Sequence, residues 1–327
     1  MLRYDKIKKL LKKNKIVLKM YLNFFSLLFS LDPIIPMEIP VKLLYRVILG
    51  RKLDLKNPVD LNEKIQWLKV YYRDPRYVSC ADKYLVREYV KKQNYEDILN
   101  ELYGVYNQAD EIKFNQLPNE FVLKATHSCG KNIICNDKSN LDIEEAKIKI
   151  KRWLNEKHGL ATGETHYLHI KPRIIAEKYI GNDDGTLPLD YKIFCFNGTP
   201  HCIVVYSDRD KITMETKRSC FNFNWEPLDV IAKEYYTDPS GFKRPETLDY
   251  MYEVAKNLSR PFPFVRVDLY EYKGKVIFGE LTFTPAGGFI KMFTQEANIK
   301  LGKLLKLPEK SKSRSYKMSL HHKMDLT

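Results

Sequence analysis

Apolar and polar positions along this chain follow two periods, and each change of period marks an element. In LNEKIQWLKVYY, Ile65, Leu68 and Tyr72 recur at helical spacing, so residues 1–75 read as a helical, aromatic-rich leader. A second helical stretch, CADKYLVREYVKK (80–92), is expected to start at Asp82, a residue suited to an N-cap. The pattern then becomes extended: LPNEFVLKATHSCGKNIIC (117–135) gives a β run, a Ser-Cys-Gly-Lys-Asn loop and a second β run. Residues 141–158 predict a charged helix, and PRIIAEKYIG (172–181) a buried strand leaving into the polar loop Asn182–Thr186. DYKIFCFNGTPHCIVVYSDR (190–209) predicts a hairpin turning at Asn197-Gly198. ETLDYMYEVAKNLSR (246–260) predicts an amphipathic helix, and RVDLYEYKGKVIFGELTF (266–283) a second hairpin. The polar, basic tail from Lys310 is expected to be disordered. No internal repeat or Gly/Ser linker interrupts the chain, so its subdomains are expected to pack closely.

The second hairpin carries the sharpest chemistry. Period-two alternation puts Arg266 and Asp268 on one face of its first strand, and Glu280 and Thr282 on one face of its second. An odd number of residues in the loop around Gly274 puts both acids on a shared face. A two-residue turn puts them on opposite faces unless a bulge restores the match. On a shared face, two carboxylates flanked by an Arg and a Thr hydroxyl suit Mg²⁺, which takes few protein oxygens and completes its shell with phosphates and water. The natural ligand of such a metal is a nucleoside triphosphate.

Composition narrows the setting. With 327 residues and 44% hydrophobic content, the chain can bury more than one core, and two or three subdomains are expected. A net charge of +14 favours an anionic partner: a nucleotide, an acidic polysaccharide, nucleic acid or a membrane surface. No nucleic-acid module is recognisable, so nucleic acid is not expected. The cysteines, at 80, 129, 135, 195, 202 and 220, lack paired metal-ligand spacing and read as reduced, mostly buried thiols of a cytoplasmic protein. Trp67, Tyr71 and Tyr72 sit at helical spacing and read as core rather than as a sugar-stacking platform.

Residues 1–19 carry eight Lys or Arg against a single Asp, and the apolar run YLNFFSLLFSL (21–31) follows. That run is shorter than the roughly 20 residues a bilayer span needs, and no small-residue cleavage site follows it. Two readings are open: a helix packed on the body of the protein, which is the favoured expectation, or a basic amphipathic segment in peripheral contact with the inner membrane leaflet.

Lys124 stands at a strand end before a loop with Ser128, Gly130 and Lys131, where backbone amides and ammonium groups could cradle phosphate, although the Walker spacing is absent. In AEKYIGNDDG, a strand with Glu177 ends in a turn holding Asp183 and Asp184. Each part alone reads more readily as an ordinary solvated hairpin or a plain edge strand. Their order along the chain, together with LNEKIQWLKVYY, DKYLVREYV, LPNEFVLKATH, PRIIAEKYI, DYKIFCFNG, FPFVRVDLY and FGELTFTPAGGF, resembles the TupA-like branch of the ATP-grasp superfamily from about Leu53 to Leu307.

The resemblance implies an α+β, ATP-grasp fold, two α+β subdomains clasping ATP behind a helical N-terminal region. The expected segments are a basic and apolar helical region (1–75), a helical N-terminal subdomain (76–116), a lid subdomain (117–181), a catalytic subdomain (182–308) and a basic tail (309–327). ATP and Mg²⁺ are the implied cofactors. Lys83 and Lys124 would bind ATP phosphates under the Ser128–Lys131 loop, with Gly130 in it. Glu177, Lys178 and Ile180 would line the adenine, and Asp183 or Asp184 the ribose. Lys192 would reach the triphosphate, with Asp190 positioning it or capping its strand, and Arg266 would stabilise the transferring phosphoryl group. Asp268, Glu280 and Thr282 form the implied metal set, Thr282 standing where the superfamily usually has Asn. The implied activity is an ATP-dependent carboxylate-amine ligase of surface-polysaccharide synthesis, with an anionic saccharide or uronic-acid acceptor and an amine donor. A nucleotide-sugar glycosyltransferase and a non-catalytic assembly protein are the rival readings. A phosphoryl-transfer mechanism needs no protein nucleophile, so His127, Ser128 and Cys129 are not read as covalent catalysts. Cys129, beside Lys131, could have a lowered pKa, but a packing or loop role is the favoured reading for it.

Overall fold

The computed structural model describes residues 15–32, 34–182, 186–206 and 217–312. The helical leader is present as α1 (Lys15–Ser30), α2 (Glu38–Leu49) and α3 (Leu61–Tyr71). Asp60 opens α3 in a reciprocal capping box with Glu63, and Gly50 closes α2 with φ 76°, a conformation that a Cβ would disfavour. The chain continues through α4 (Arg76–Ala81), α5 (Val86–Lys92), β1 (Leu102–Tyr106), β2 (Phe121–Ala125), β3 (Asn132–Cys135), α6 (Ile143–Leu154) and β4 (Ile174–Lys178). It ends with β5 (Asp190–Phe196), β6 (Thr199–Tyr206), β7 (Arg218–Phe221), α7 (Leu248–Ser259), β8 (Phe264–Tyr272), β9 (Lys275–Thr282) and α8 (Gln295–Leu304).

Two elements differ from expectation. Asp82 does not cap a helix spanning 80–92; it lies in extended conformation between α4 and α5. Its carboxylate accepts the Tyr84 and Leu85 amides and pairs with Arg173 at 2.6 Å, so the chain turns there and helix resumes only at Val86. The segment 76–116, read as helical, holds β1, whose residues are all half-buried and so show no alternation to read. The tail beyond residue 312 lies outside the described residues.

Both sheets are antiparallel, in the orders β1-β4-β2-β3 and β7-β6-β5-β8-β9. In the smaller sheet Phe121, Leu123, Ala125, Ile174 and Ala176 pack under Ala146, Ile150 and Trp153 of α6. Alternation therefore turns Lys124 and Glu177 to the opposite face. In the larger sheet the odd positions of β5 and β8, such as Ile193, Cys195, Val265 and Val267, pack against Met251, Val254 and Leu258 of α7. The even positions Phe194, Phe196 and Phe264 pack against Phe25, Leu44, Ile65 and Leu68 of the leader. The N-terminal helices thus share the larger sheet's second core. Their cover leaves one stretch of that face, built from Asp190, Lys192, Arg266, Asp268, Glu280 and Thr282, to do something other than pack.

Glu280 reaches that face through a bulge. Lys273 and Gly274, with φ 50° and 72°, form a two-residue turn between β8 and β9, the case that should separate the acids. The register then slips by one, from Leu269↔Phe278 to Asp268↔Glu280, leaving Gly279 as the extra residue. Even positions Val276 and Phe278 face the α7 core before the bulge, and odd Leu281 and Phe283 face it afterwards, so Glu280 and Thr282 turn to join Asp268. Glycine is required here for space. A Cβ at Gly279 would sit 2.9 Å from the Asp268 carbonyl oxygen and 3.0 Å from the Tyr270 ring. Gly279→Ala is expected to destabilise the fold by about 1–3 kcal/mol, measured by urea unfolding, through this overpacking; an unchanged midpoint and slope would show that the bulge relaxes freely.

Candidate active site

Three strands deliver one charged row. Lys192 on β5 stands beside Asp268 on β8, which stands beside Glu280 on β9. Asp268, only 2% exposed, is gripped by Arg266 through Nε–Oδ1 and Nη2–Oδ2 contacts of 2.6 Å each, and by Lys192 Nζ at 2.7 Å. Lys192 also pairs with Asp190 at 2.5 Å, so Asp190 does position this lysine. Burial opposes charge on Lys192, but Asp268 and Asp190 outweigh it and hold the ammonium above its ordinary range. Burial pushes the Asp190 carboxyl up, against the pull of Lys192. The Thr282 hydroxyl donates to Glu280 Oε1 at 2.9 Å and accepts from Arg266 at 3.1 Å.

Lys83 joins the row from the far side of the cleft. Its Nζ lies 3.2 Å from Glu280 Oε2 and donates to the Ser128 carbonyl at 2.7 Å, while its amide donates to the Thr126 carbonyl. Burial alone would raise the Glu280 pKa; Lys83, Arg266 and Lys192, with the Thr282 hydroxyl, together hold it down to about 2. Three carboxylates, Asp190, Asp268 and Glu280, thus meet three cations, Lys83, Lys192 and Arg266.

A second charged cluster lies on the smaller sheet. Glu177 takes Lys124 at 2.7 Å and Arg87 at 3.3 Å, so the expected phosphate lysine and the expected adenine-side acid are brought together. Half-buried Tyr270 is within electrostatic reach of both clusters: Asp190 first, then burial, Asp268, Glu280 and Glu177, push its hydroxyl pKa up. Lys178 points to solvent near Glu101, and its main-chain amide and carbonyl are already paired with the Glu101 carbonyl and Asn100 Nδ2. Ile180, half-buried, is the next of the expected adenine residues along the chain, and Asp183 and Asp184 lie outside the described residues.

The family model described as TupA-like ATP-grasp matches residues 63–306. The chain belongs to this family. Among solved structures, the D-alanine–D-alanine ligase of Bacillus anthracis complexed with ATP is similar at 14% identity and TM-score 0.44, over 69% of this chain and 64% of that one, just under two thirds. The Helicobacter pylori D-alanine–D-alanine ligase is similar at 15% identity and TM-score 0.39, over 77% and 69%. No curated protein matches the chain in sequence.

In this TupA-like ATP-grasp protein the loop after β2 is held from several sides. His127 Nε2 contacts the Trp153 carbonyl at 3.0 Å, which makes it a loop-orienting residue. Lys131 pairs with Glu156, and Gly130 takes φ 69° in open space. The Ser128 hydroxyl is buried without a partner. Cys129 does not show the lowered pKa, the lesser of its two readings. Loss of water around its thiol, then Glu280 and Glu164, push the Cys129 pKa up rather than down. Its Sγ lies 3.6 Å from His158 Nε2, and burial lowers that imidazole to about 4.

Three supports escaped the sequence reading. The buried Asp82–Arg173 pair ties the Lys83 turn to the strand leading to Glu177, and the Arg173 carbonyl accepts the Thr126 amide of the loop. On α3, Asn62, Gln66 and Lys69 form a buried polar stripe at helical spacing. Asn62 bonds both ways with Ile290, Gln66 donates to the Gly288 carbonyl at 2.8 Å, and Lys69 donates to the carbonyls of Gly287 and Thr162. This stripe fixes the loop that follows Thr282. Burial brings Lys69 down to about 7, against the pull of Glu164, and Glu164 in turn accepts from Thr284 at 2.5 Å and from Thr162 at 2.6 Å. Polar residues on a leader helix gave no chemical signal of their own; only their burial reveals the role.

Two expectations follow from the charges. The pKa of Glu280 lies below its ordinary 4.5, so its contribution to stability is complete above that pH and is lost as pH falls toward about 2. Lys83→Met removes one pull on that pKa. Thermal unfolding should then start from a lower Tm at neutral pH and fall less steeply across this window; an unaltered profile would sever Lys83 from Glu280. Asp82→Ala strands Arg173 without its buried partner and is expected to cost about 3–5 kcal/mol in urea unfolding.

Proposed function

We propose that the chain is an ATP- and Mg²⁺-dependent carboxylate-amine ligase, working through an acyl phosphate in the synthesis of bacterial capsular or cell-surface polysaccharide. It would join an amino acid or other amine to a uronic-acid-type carboxylate at the cytoplasmic face of the membrane. The observation that carries the reading is the row Lys192–Asp268–Glu280, with Arg266 and Lys83 closing on it. Such a constellation supplies cations for a triphosphate and carboxylates for its metal on one face.

The residues fit Mg²⁺ held jointly with phosphates. Among the described residues no group of three His, Cys, Asp or Glu side chains could hold a metal alone. Mg²⁺ asks for less, since one or two carboxylates beside nucleotide phosphates suffice. Glu280, whose side chain is 27% exposed, would hold it with Asp268, while Thr282 serves to orient Glu280. When bound, the ion neutralises phosphate charge and acts as a Lewis acid on the transferring group. Lys83 and Lys192 would pair with phosphate oxygens, and Lys124 with the nucleotide under the Ser128–Lys131 loop. Arg266 would face the charge that builds as a substrate carboxylate oxygen bonds to the γ-phosphorus and the bond to the bridging oxygen breaks, releasing ADP. The amine then attacks the acyl carbon, loses a proton and displaces phosphate.

A cavity of about 450 Å³, lined by Arg73, His127, His158, Tyr167 and His169, among others, is of ligand-binding size and suits the acceptor. Two of its lining residues, His158 and Tyr167, lie within the electrostatic reach of Glu280.

The test is ADP release from purified protein with Mg²⁺-ATP and a panel of uronic acids and amino acids. Asp268→Ala and Glu280→Gln, checked for folding by circular dichroism, should each lose about a hundredfold or more. Absence of ADP across the panel, with turnover of a nucleotide-sugar instead, would replace the ligase reading by a glycosyltransferase.

A further inference from the structure

Helix α1 has two apolar faces, and the fold covers one. Phe25 and Phe29 are buried in the core shared with the larger sheet, the Phe29 ring lying against Gly163. On the other side Ile16, Met20, Phe24 and Leu27 are 70%, 66%, 50% and 59% exposed. Their spacing of four, four and three makes one continuous stripe. Ile34 after the helix, and Ile39 and Leu43 on α2, add exposed apolar surface nearby in sequence. Large side chains in this number, exposed together on one face, mark a surface with a partner.

Charge selects the partner. The stretch 1–19, which leads into and begins α1, carries eight Lys or Arg against one Asp. A bilayer with anionic headgroups complements both halves of this surface, taking the stripe into its acyl boundary and the basic stretch onto its phosphates; stable peripheral attachment needs two such signals together. The described part of this helix is too short to cross a bilayer. Its 16 residues span roughly 24 Å, short of the hydrocarbon thickness of about 30 Å, and no described helix is long and apolar enough to cross. We infer that α1 lies flat on an anionic membrane surface, anchored by Ile16, Met20, Phe24 and Leu27 and steered by the basic stretch before it. The end of α1, at Phe29 and Ser30, lines the cavity that holds His127, His158 and His169, so attachment would bring that cavity close to the lipid surface. The inference holds whatever reaction the site performs.

The test is sedimentation of the full chain with vesicles of phosphatidylcholine, with or without one-third phosphatidylglycerol. The chain should bind the anionic vesicles, bind neutral ones at least about tenfold more weakly, and be released by high salt. Met20→Glu with Phe24→Glu should lower binding about tenfold or more with the fold retained by circular dichroism, since Met20 is largely exposed and Phe24 gives up only its edge contact with Phe25. Failure to sediment with anionic vesicles, equal binding by the double variant, or a wild-type dimer that this variant converts to monomer would overturn the inference, the last by assigning the face to a second copy.

Discussion

Asp268 is a carboxylate shut away from water, and a buried anion costs several kcal/mol unless opposite charges and hydrogen-bond donors surround it. Arg266 two residues away on the same strand supplies a bidentate grip, and Lys192 on the neighbouring strand supplies the second charge. Both cations are themselves nearly buried and depend on Asp268 and Asp190 in return. The arrangement holds only while β5, β8 and β9 keep their register, so the electrostatics of the site and the alignment of the sheet are one constraint. A slip by one residue on any of these strands would send a charge into the α7 core.

The same dependence explains why so much of the chain is committed to supporting a few side chains. The leader helices cover the hydrophobic part of the sheet face and stop where the charges begin. Their polar stripe then reaches past the core to fix the loop after Thr282, using main-chain carbonyls as acceptors. From the other side, the Asp82–Arg173 pair holds the Lys83 turn against the smaller sheet. Lys124 on the smaller sheet, and Lys192 and Arg266 on the larger, are each held by carboxylates, so both sheets carry cations on their charged faces.

Much of this was legible in the sequence, for physical reasons that differ from element to element. The hairpin at Asn197-Gly198 was legible because its turn needs two left-handed residues and few dipeptides tolerate that. Helices α3, α6 and α7 were legible because their apolar residues follow helical spacing against a core. Strand β1 was not, since it is half-buried throughout. The break at Asp82 was missed because an aspartate that caps a turn and one that caps a helix look alike until its partner, Arg173, is known from 91 residues away.

Alone, the sequence determined which strands carry acids, which lysines precede loops, and the family to which their order belongs, because periodicity and motif order are local or linear properties. It left open whether Asp268 and Glu280 share a face, since that turns on the number of residues between two hydrogen-bonded partners. The tertiary structure decided it through Gly279, a residue with no side chain, whose lack of a Cβ lets the Asp268 carbonyl and the Tyr270 ring come close enough to form the bulge. Contacts between distant segments, such as Lys83 with Glu280 and Lys69 with Gly287, were likewise set only by folding, because the free energy that fixes them comes from burial and charge pairing across the whole chain.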